Sequence, residues 1–153
     1  MKKFTDLIAE VLQNVAEVFP WDMEQRMQEN PDLLIVDVRE AVEFSSMRIV
    51  NSINVPRGIL ETACEYDYED TVPELVRARK TEIIVVCRSG NRSVLAAHTM
   101  QQMGYNKVSS LKTGLRGWND YELPLVSAEE TPVDIEVADL FFTANLAPEQ
   151  KAP

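Results

Sequence analysis

Histidine is almost missing from this chain, and cysteine is scarce: His98 is the single histidine, and Cys64 and Cys87 are the two cysteines. Two cysteines are too few for a disulfide scaffold, and their spacing beside a lone histidine matches no zinc site. No metal and no cofactor are expected. The shortage of histidine also removes cysteine-protease chemistry, which needs an imidazole base beside the thiol. His98 falls about one and a half turns into the helix that follows Cys87, too far along to serve it, and reads as a partly exposed helix residue. Positive charge is in deficit: 15 Lys and Arg face 25 Asp and Glu, for a net charge of −10. That balance argues against nucleic acid and against an anionic membrane surface. No apolar run approaches the roughly 18 residues that span a bilayer. Met1-Lys2-Lys3 starts like a signal peptide, but Asp6 and Glu10 interrupt the stretch and no small-residue cleavage site follows. The reading is a cytoplasmic protein.

What is present fits a packed α/β body. The chain has 153 residues, 45% of them apolar, enough for one core with short appendages. Phe4, Leu7, Ile8, Val11, Leu12, Val15 and Val18 recur at spacings of three and four, which predicts an amphipathic helix ended by Pro20. A second helix is expected over Asp22 to Gln28. Short apolar runs predict strands at Leu33–Val38, Ile53–Val55, Glu82–Cys87 and Val108–Leu111. Between the last two, Arg92 to Met103 carries a helical stripe that Gly104 should end. Tyr66 to Asp70 reads as an exposed acidic loop, and Thr71-Val-Pro-Glu as a capped helix start. Alternating strands and helices predict a parallel central sheet with helices on both faces. The expected organisation is an N-terminal amphipathic helix over 1–19, the main α/β domain over 20–126, and a C-terminal extension over 127–153. Ser127 to Pro132 reads as a polar linker. Val133, Ile135, Val137, Leu140, Phe141, Phe142 and Leu146 make the extension too apolar to stay in water. It should strap its own body or build a homodimer.

The chemistry centres on Cys87, which closes the strongest strand signal and opens the run Arg88-Ser89-Gly90-Asn91-Arg92-Ser93. A strand-to-helix turn of small residues aims several backbone N–H groups at one point, and the helix dipole adds partial positive charge there. Arg88 and Arg92 add two formal charges. All of these favour negative charge on the sulfur and would hold an anion bonded to it. Position matters too, because ligands of parallel sheets bind at the carboxyl ends of strands. The plainer alternative is a buried small hydrophobe at a strand end. Cys64 is the one candidate resolving thiol, with an ordinary helix or loop cysteine as the simpler reading.

Three blocks together resemble a single-domain rhodanese. The first runs Leu34-Ile-Val-Asp-Val-Arg-Glu40, then Glu43-Phe44 and Ile53-Asn-Val-Pro-Arg-Gly58. The second is Val85-Val-Cys-Arg-Ser-Gly-Asn-Arg-Ser93. The third comprises Leu111, Gly114, Gly117-Trp118 and Leu123-Pro124. The resemblance implies that thiosulfate, a polysulfide or a persulfide donor gives its outer sulfur to Cys87. The resulting persulfide would pass to a thiophilic acceptor, which includes a sulfur-acceptor protein. It implies a persulfide cradle from Arg88 to Ser93, with Asp37 and Arg39 bracing the site. Related phosphatases carry five residues between the cysteine and an arginine, whereas Arg88, Ser89, Gly90 and Asn91 here favour sulfur over phosphate. A non-catalytic protein-interaction module is the alternative, and a phosphatase or arsenate reductase relative a weaker one. The Gly-His-Ile that usually follows the first acidic block is replaced by Ser45-Ser46-Met47-Arg48-Ile49, and Ser89 stands where thiosulfate-specialised members often carry a base.

Overall fold

The computed structural model describes residues 1–153. Its elements in chain order are α1 (Phe4–Leu12), β1 (Ala16–Val18), α2 (Pro20–Glu29), β2 (Leu34–Asp37), α3 (Ala41–Ser46) and β3 (Ile53–Asn54). There follow α4 (Leu60–Ala63), α5 (Pro73–Val76), β4 (Ile83–Val86), α6 (Asn91–Gln102), β5 (Val108–Leu111), α7 (Gly114–Asp120) and α8 (Ile135–Phe142). The strands form one five-stranded sheet in the order β1-β5-β4-β2-β3, and every pairing is parallel. All four residues of central β4, Ile83 to Val86, are buried, because a parallel sheet covered on both faces needs apolar side chains on each.

Alternation along the strands splits the core in two. Val36, Ile83, Val85 and Val108 face one cluster with Leu60, Ala63, Leu75, Ala96, Ala97 and Met100 from α4, α5 and α6. Ile35, Ile84, Val86 and Leu111 face the other, with Met23 of α2, Leu115 and Trp118 of α7, and Ala138 and Phe142 of α8. Helices therefore cover both faces, as the alternation of elements predicts.

Three local expectations are corrected. The apolar stripe of α1 stops at Leu12, and Ala16–Val18 form β1 on the sheet edge, with Val18 opposite Leu111. Val15 and Val18 are buried, but a spacing of three cannot by itself separate a helix face from a strand joined to it. Pro20 does not end a helix. It is the first residue of α2, where a missing N–H costs nothing. Thr71 does not cap α5, because Val72 holds that position. The Thr71 hydroxyl instead donates to the Glu65 carbonyl at 2.6 Å and accepts the Tyr68 N–H at 3.1 Å, closing the exposed acidic loop.

The C-terminal extension straps its own chain. Val133 N–H donates to the Leu125 carbonyl at 3.0 Å, and α8 lies on α7. Asn119 of α7 ties it there, its side-chain amide donating to the Ile135 carbonyl at 3.2 Å and to Asp139 Oδ1 at 2.7 Å. Of the seven large apolar residues of the extension, only Phe142 is fully buried, and Leu140 is 79% exposed. The extension docks through one face only, because a short surface helix presents a single side to the body.

Trp118 packs between the sheet and this strap. Its ring is 1% exposed, and its indole N–H donates to the Pro124 carbonyl at 2.9 Å. Trp118→Ala should therefore cost about 3–5 kcal/mol, measured by urea denaturation. A loss within the range of surface substitutions would place the ring outside the core.

Candidate functional site

β4 ends at Val86, so Cys87 is the first residue past the carboxyl end of the central strand, and α6 begins at Asn91. Residues 87 to 90 must reverse the chain between them. Gly90 makes the turn with φ of 95°, a region that side-chain-bearing residues enter rarely. The bend curls the loop around the sulfur. Gly90 N–H points at Cys87 Sγ from 3.2 Å and Ser93 N–H from 3.3 Å. Ser93 Oγ lies 3.3 Å from the same sulfur, and the thiol donates to it in the neutral form. The amides of Ser89, Asn91 and Arg92 make no hydrogen bond within the protein. Asn91 and Arg92 are the first two residues of α6, where orphan N–H groups and the helix dipole favour an anion.

Ser93 is itself anchored. Its hydroxyl donates to the Gly90 carbonyl at 3.1 Å and lies 2.7 Å from Ser110 Oγ of β5. Ser110 is completely buried. If Cys87 loses its proton, the Ser93 hydroxyl can turn to donate to sulfur while keeping its contact with Ser110. No sequence signal marked Ser110, which looks like an ordinary residue of a short strand.

α7 fixes the loop from the far side. Leu115 N–H donates to the Cys87 carbonyl at 2.9 Å and Arg116 N–H to the Arg88 carbonyl at 3.0 Å. This approach demands Gly114, since a Cβ there would lie 2.5 Å from the Arg88 carbonyl carbon and oxygen. Gly114, quoted in the third sequence block, thus owes its place to contact with the cysteine loop.

The two arginines of the loop are both engaged. Arg92 makes a two-pronged pair with Glu43 of α3, each N–O distance 2.9 Å. The hydrogen bond from Arg92 holds the Glu43 carboxyl below its usual range, and the same bond pushes the guanidinium of Arg92 up. Arg88 donates to the backbone carbonyl of Phe142, the last residue of α8. Asp37 and Arg39 do not touch the sulfur. They form a fully buried ion pair at the end of β2, with Arg39 Nε donating to Asp37 Oδ1 at 3.0 Å and Nη2 to Oδ2 at 2.8 Å. Arg39 also donates to the Met47 carbonyl at 2.7 Å and to the Glu43 carbonyl at 3.4 Å. It therefore braces the helix that carries Glu43, in the segment where Met47 and Ile49 take the place of a Gly-His-Ile turn. Glu43 was quoted in the first sequence block without a role.

Cys64 lies at the end of α4, fully buried among apolar side chains, and burial pushes its thiol up. That environment works against a resolving thiol. Both cysteines are free. No helix is long and apolar enough to cross a membrane.

Comparison with known proteins agrees with this geometry. The family model described as "Rhodanese-like domain" matches residues 21–121. A sulfurtransferase of Allochromatium vinosum is 28% identical over 115 residues, covering 75% of this chain and 98% of that protein. The adenylyltransferase and sulfurtransferase uba4 of Aspergillus fumigatus is 32% identical over 108 residues, but this chain spans only 22% of its length. Among solved structures, a Rhodopseudomonas palustris protein of unknown function, named as a possible tyrosine phosphatase, superposes with a TM-score of 0.72. It is 24% identical, over 81% of this chain and 94% of that one, a likeness of fold. A family match over more than half of the sequence, on a parallel sheet whose central strand runs into a cysteine loop, places the chain in the rhodanese-like domain family.

Proposed function

We propose that the protein is a sulfurtransferase or sulfur carrier whose Cys87 holds the transferred sulfur as a persulfide. The observation that carries this reading is the convergence of the Gly90 and Ser93 amides on Cys87 Sγ, beside the unpaired amides of Ser89, Asn91 and Arg92. The Cys87 thiolate attacks the outer sulfur of a donor. A new S–S bond forms, the old one breaks, and its electron pair leaves with sulfite from thiosulfate or with a thiolate from a persulfide. The outer sulfur of the resulting persulfide then carries the negative charge, and the free loop amides are placed to receive it. Attack by a thiophilic acceptor on that sulfur restores the Cys87 thiolate. No general base is required, which suits a site without histidine. The relatives named as sulfurtransferases support this direction.

Phosphate chemistry is the second reading, raised by the name of the Rhodopseudomonas palustris fold neighbour. It is less well supported, because the Arg92 guanidinium that would clamp a phosphate is paired in two-pronged fashion with Glu43.

Cys87→Ser should abolish sulfur transfer to cyanide while leaving the fold intact, and mass spectrometry after treatment with thiosulfate or polysulfide should find added sulfur on Cys87. Cys64→Ser should keep most of the activity, and an inactive Cys64→Ser with active Cys87→Ser would reverse the assignment.

The Glu43–Arg92 brace carries a pH signature. Glu43 ionises at lower pH in the folded protein than in the unfolded chain, where about 4.3 is usual. Its stabilising contribution is therefore complete above that unfolded value and is lost as pH falls through the lower folded value. Glu43→Gln should be less stable than the parent at pH 7, and the gap should close on acidification. A gap that persists unchanged at the lowest accessible pH would show that the carboxylate charge is not what matters.

A further inference from the structure

We propose that α8 is a specificity element of the sulfur site: by holding Arg88 on the Phe142 carbonyl, it withholds that guanidinium from anionic donors and favours a thiol-borne persulfide over thiosulfate. The inference rests on the reading of Cys87 as the sulfur-accepting residue.

The argument begins with the end of a helix. The last carbonyls of α8 have no intrahelical partner and sit at the negative end of its dipole. Phe142 is the final residue of α8, its ring is 1% exposed, and its carbonyl receives Arg88. The contact is seated by packing, because Ala138 and Phe142 are buried against the face formed by Leu115 and Trp118. Asn119 supplies the two side-chain bonds that hold α8 to α7. α7 in turn bonds the carbonyls of Cys87 and Arg88. The cysteine loop, α7 and α8 are thus one hydrogen-bonded unit, and Arg88 closes it.

The consequence is electrostatic. Arg92 is neutralised by Glu43 and Arg88 is tied to α8 through one amino group, so Arg88 is the one unneutralised cation of the loop and its position is set by α8. The protein as a whole carries a net charge of −10 and repels anions. Thiosulfate brings two negative charges and releases sulfite, also a dianion, so its capture and its departure both call for a cation. A persulfide RSS⁻ brings one charge at the reacting sulfurs and releases RS⁻, and the loop amides answer that smaller demand. With either donor the atoms and charges balance as Cys87 becomes Cys87–S–S⁻.

The experiment uses the full chain. Ala138→Glu places a charge in the buried α7–α8 contact and should release α8 without altering the loop sequence. Amide exchange that rises over residues 135–143 and not elsewhere reports that release. Asn119→Ala, which deletes the two side-chain ties, gives a milder release should Ala138→Glu unsettle the whole fold. Initial rates are measured at low salt with thiosulfate and with cysteine persulfide, whose amino and carboxylate charges cancel and leave a single net negative charge. Release of α8 should lower KM for thiosulfate by about threefold or more while changing the persulfide reaction much less. Adding Arg88→Ala to the released protein should reverse the gain, and high salt should erase it. A released α8 with unchanged or raised KM for thiosulfate overturns the inference, as does a gain that survives Arg88→Ala. If neither donor places sulfur on Cys87 of the parent protein, the failure lies with the reading of the site and not with α8.

Discussion

The buried ion pair between Asp37 and Arg39 is the constraint on which the site depends. Two full charges lie completely buried at the end of β2, a placement that costs several kcal/mol per ion unless geometry and hydrogen bonds compensate. Here they do. The guanidinium meets both carboxylate oxygens and spends its remaining donors on the carbonyls of Glu43 and Met47. Asn54 completes the junction by donating to the carbonyls of Asp37 and Arg39. The pair thereby holds the body and the C-terminal end of α3. α3 delivers Glu43, Glu43 holds Arg92, and Arg92 stands in the first turn of α6 beside the sulfur. Each link is a charge-assisted contact, so the direction of one side chain at the end of β2 is passed on to the cysteine loop.

The cysteine loop is held at both ends by different means. On the α3 side the restraint is ionic. On the α7 side it is made of backbone bonds to the carbonyls of Cys87 and Arg88, admitted by the missing side chain at Gly114. A loop fixed in this way presents its amides without having to reorganise when charge develops on sulfur, which is how preorganised donors are most effective. The same rigidity explains why residues without any contact to Cys87 belong to the account of the site.

Features carried by contiguous residues were readable in advance. The buried strand Ile83–Val86, the helix after the loop and the turn built on Gly90 all follow from short-range patterns, and the structure reproduces them within a residue or so. What escaped depends on neighbours distant in sequence. Val15 and Val18 continue the spacing of α1, and only the free edge of β5 turns their segment into a strand. Pro20 means a stop or a start according to which side the helix lies. Ser110 is polar and unremarked until β5 is set beside β4, when its hydroxyl meets Ser93. Arg88 looked like a charge at the mouth of the site, but its partner is a backbone carbonyl, and a backbone group leaves no mark in the choice of residue.

The pairing of β1 with β5 bears on how the chain is assembled during synthesis. Val18 lies opposite Leu111, so β1 leaves the ribosome well before β5, its sole sheet partner. β2 and β4 can pair earlier, but β1 must wait through most of translation. Closing so long a loop costs entropy before any contact repays it, and non-local pairing of this kind slows folding. The nascent protein therefore spends that interval with the β1 segment unpaired, and the edge of the sheet is the last part of it to close.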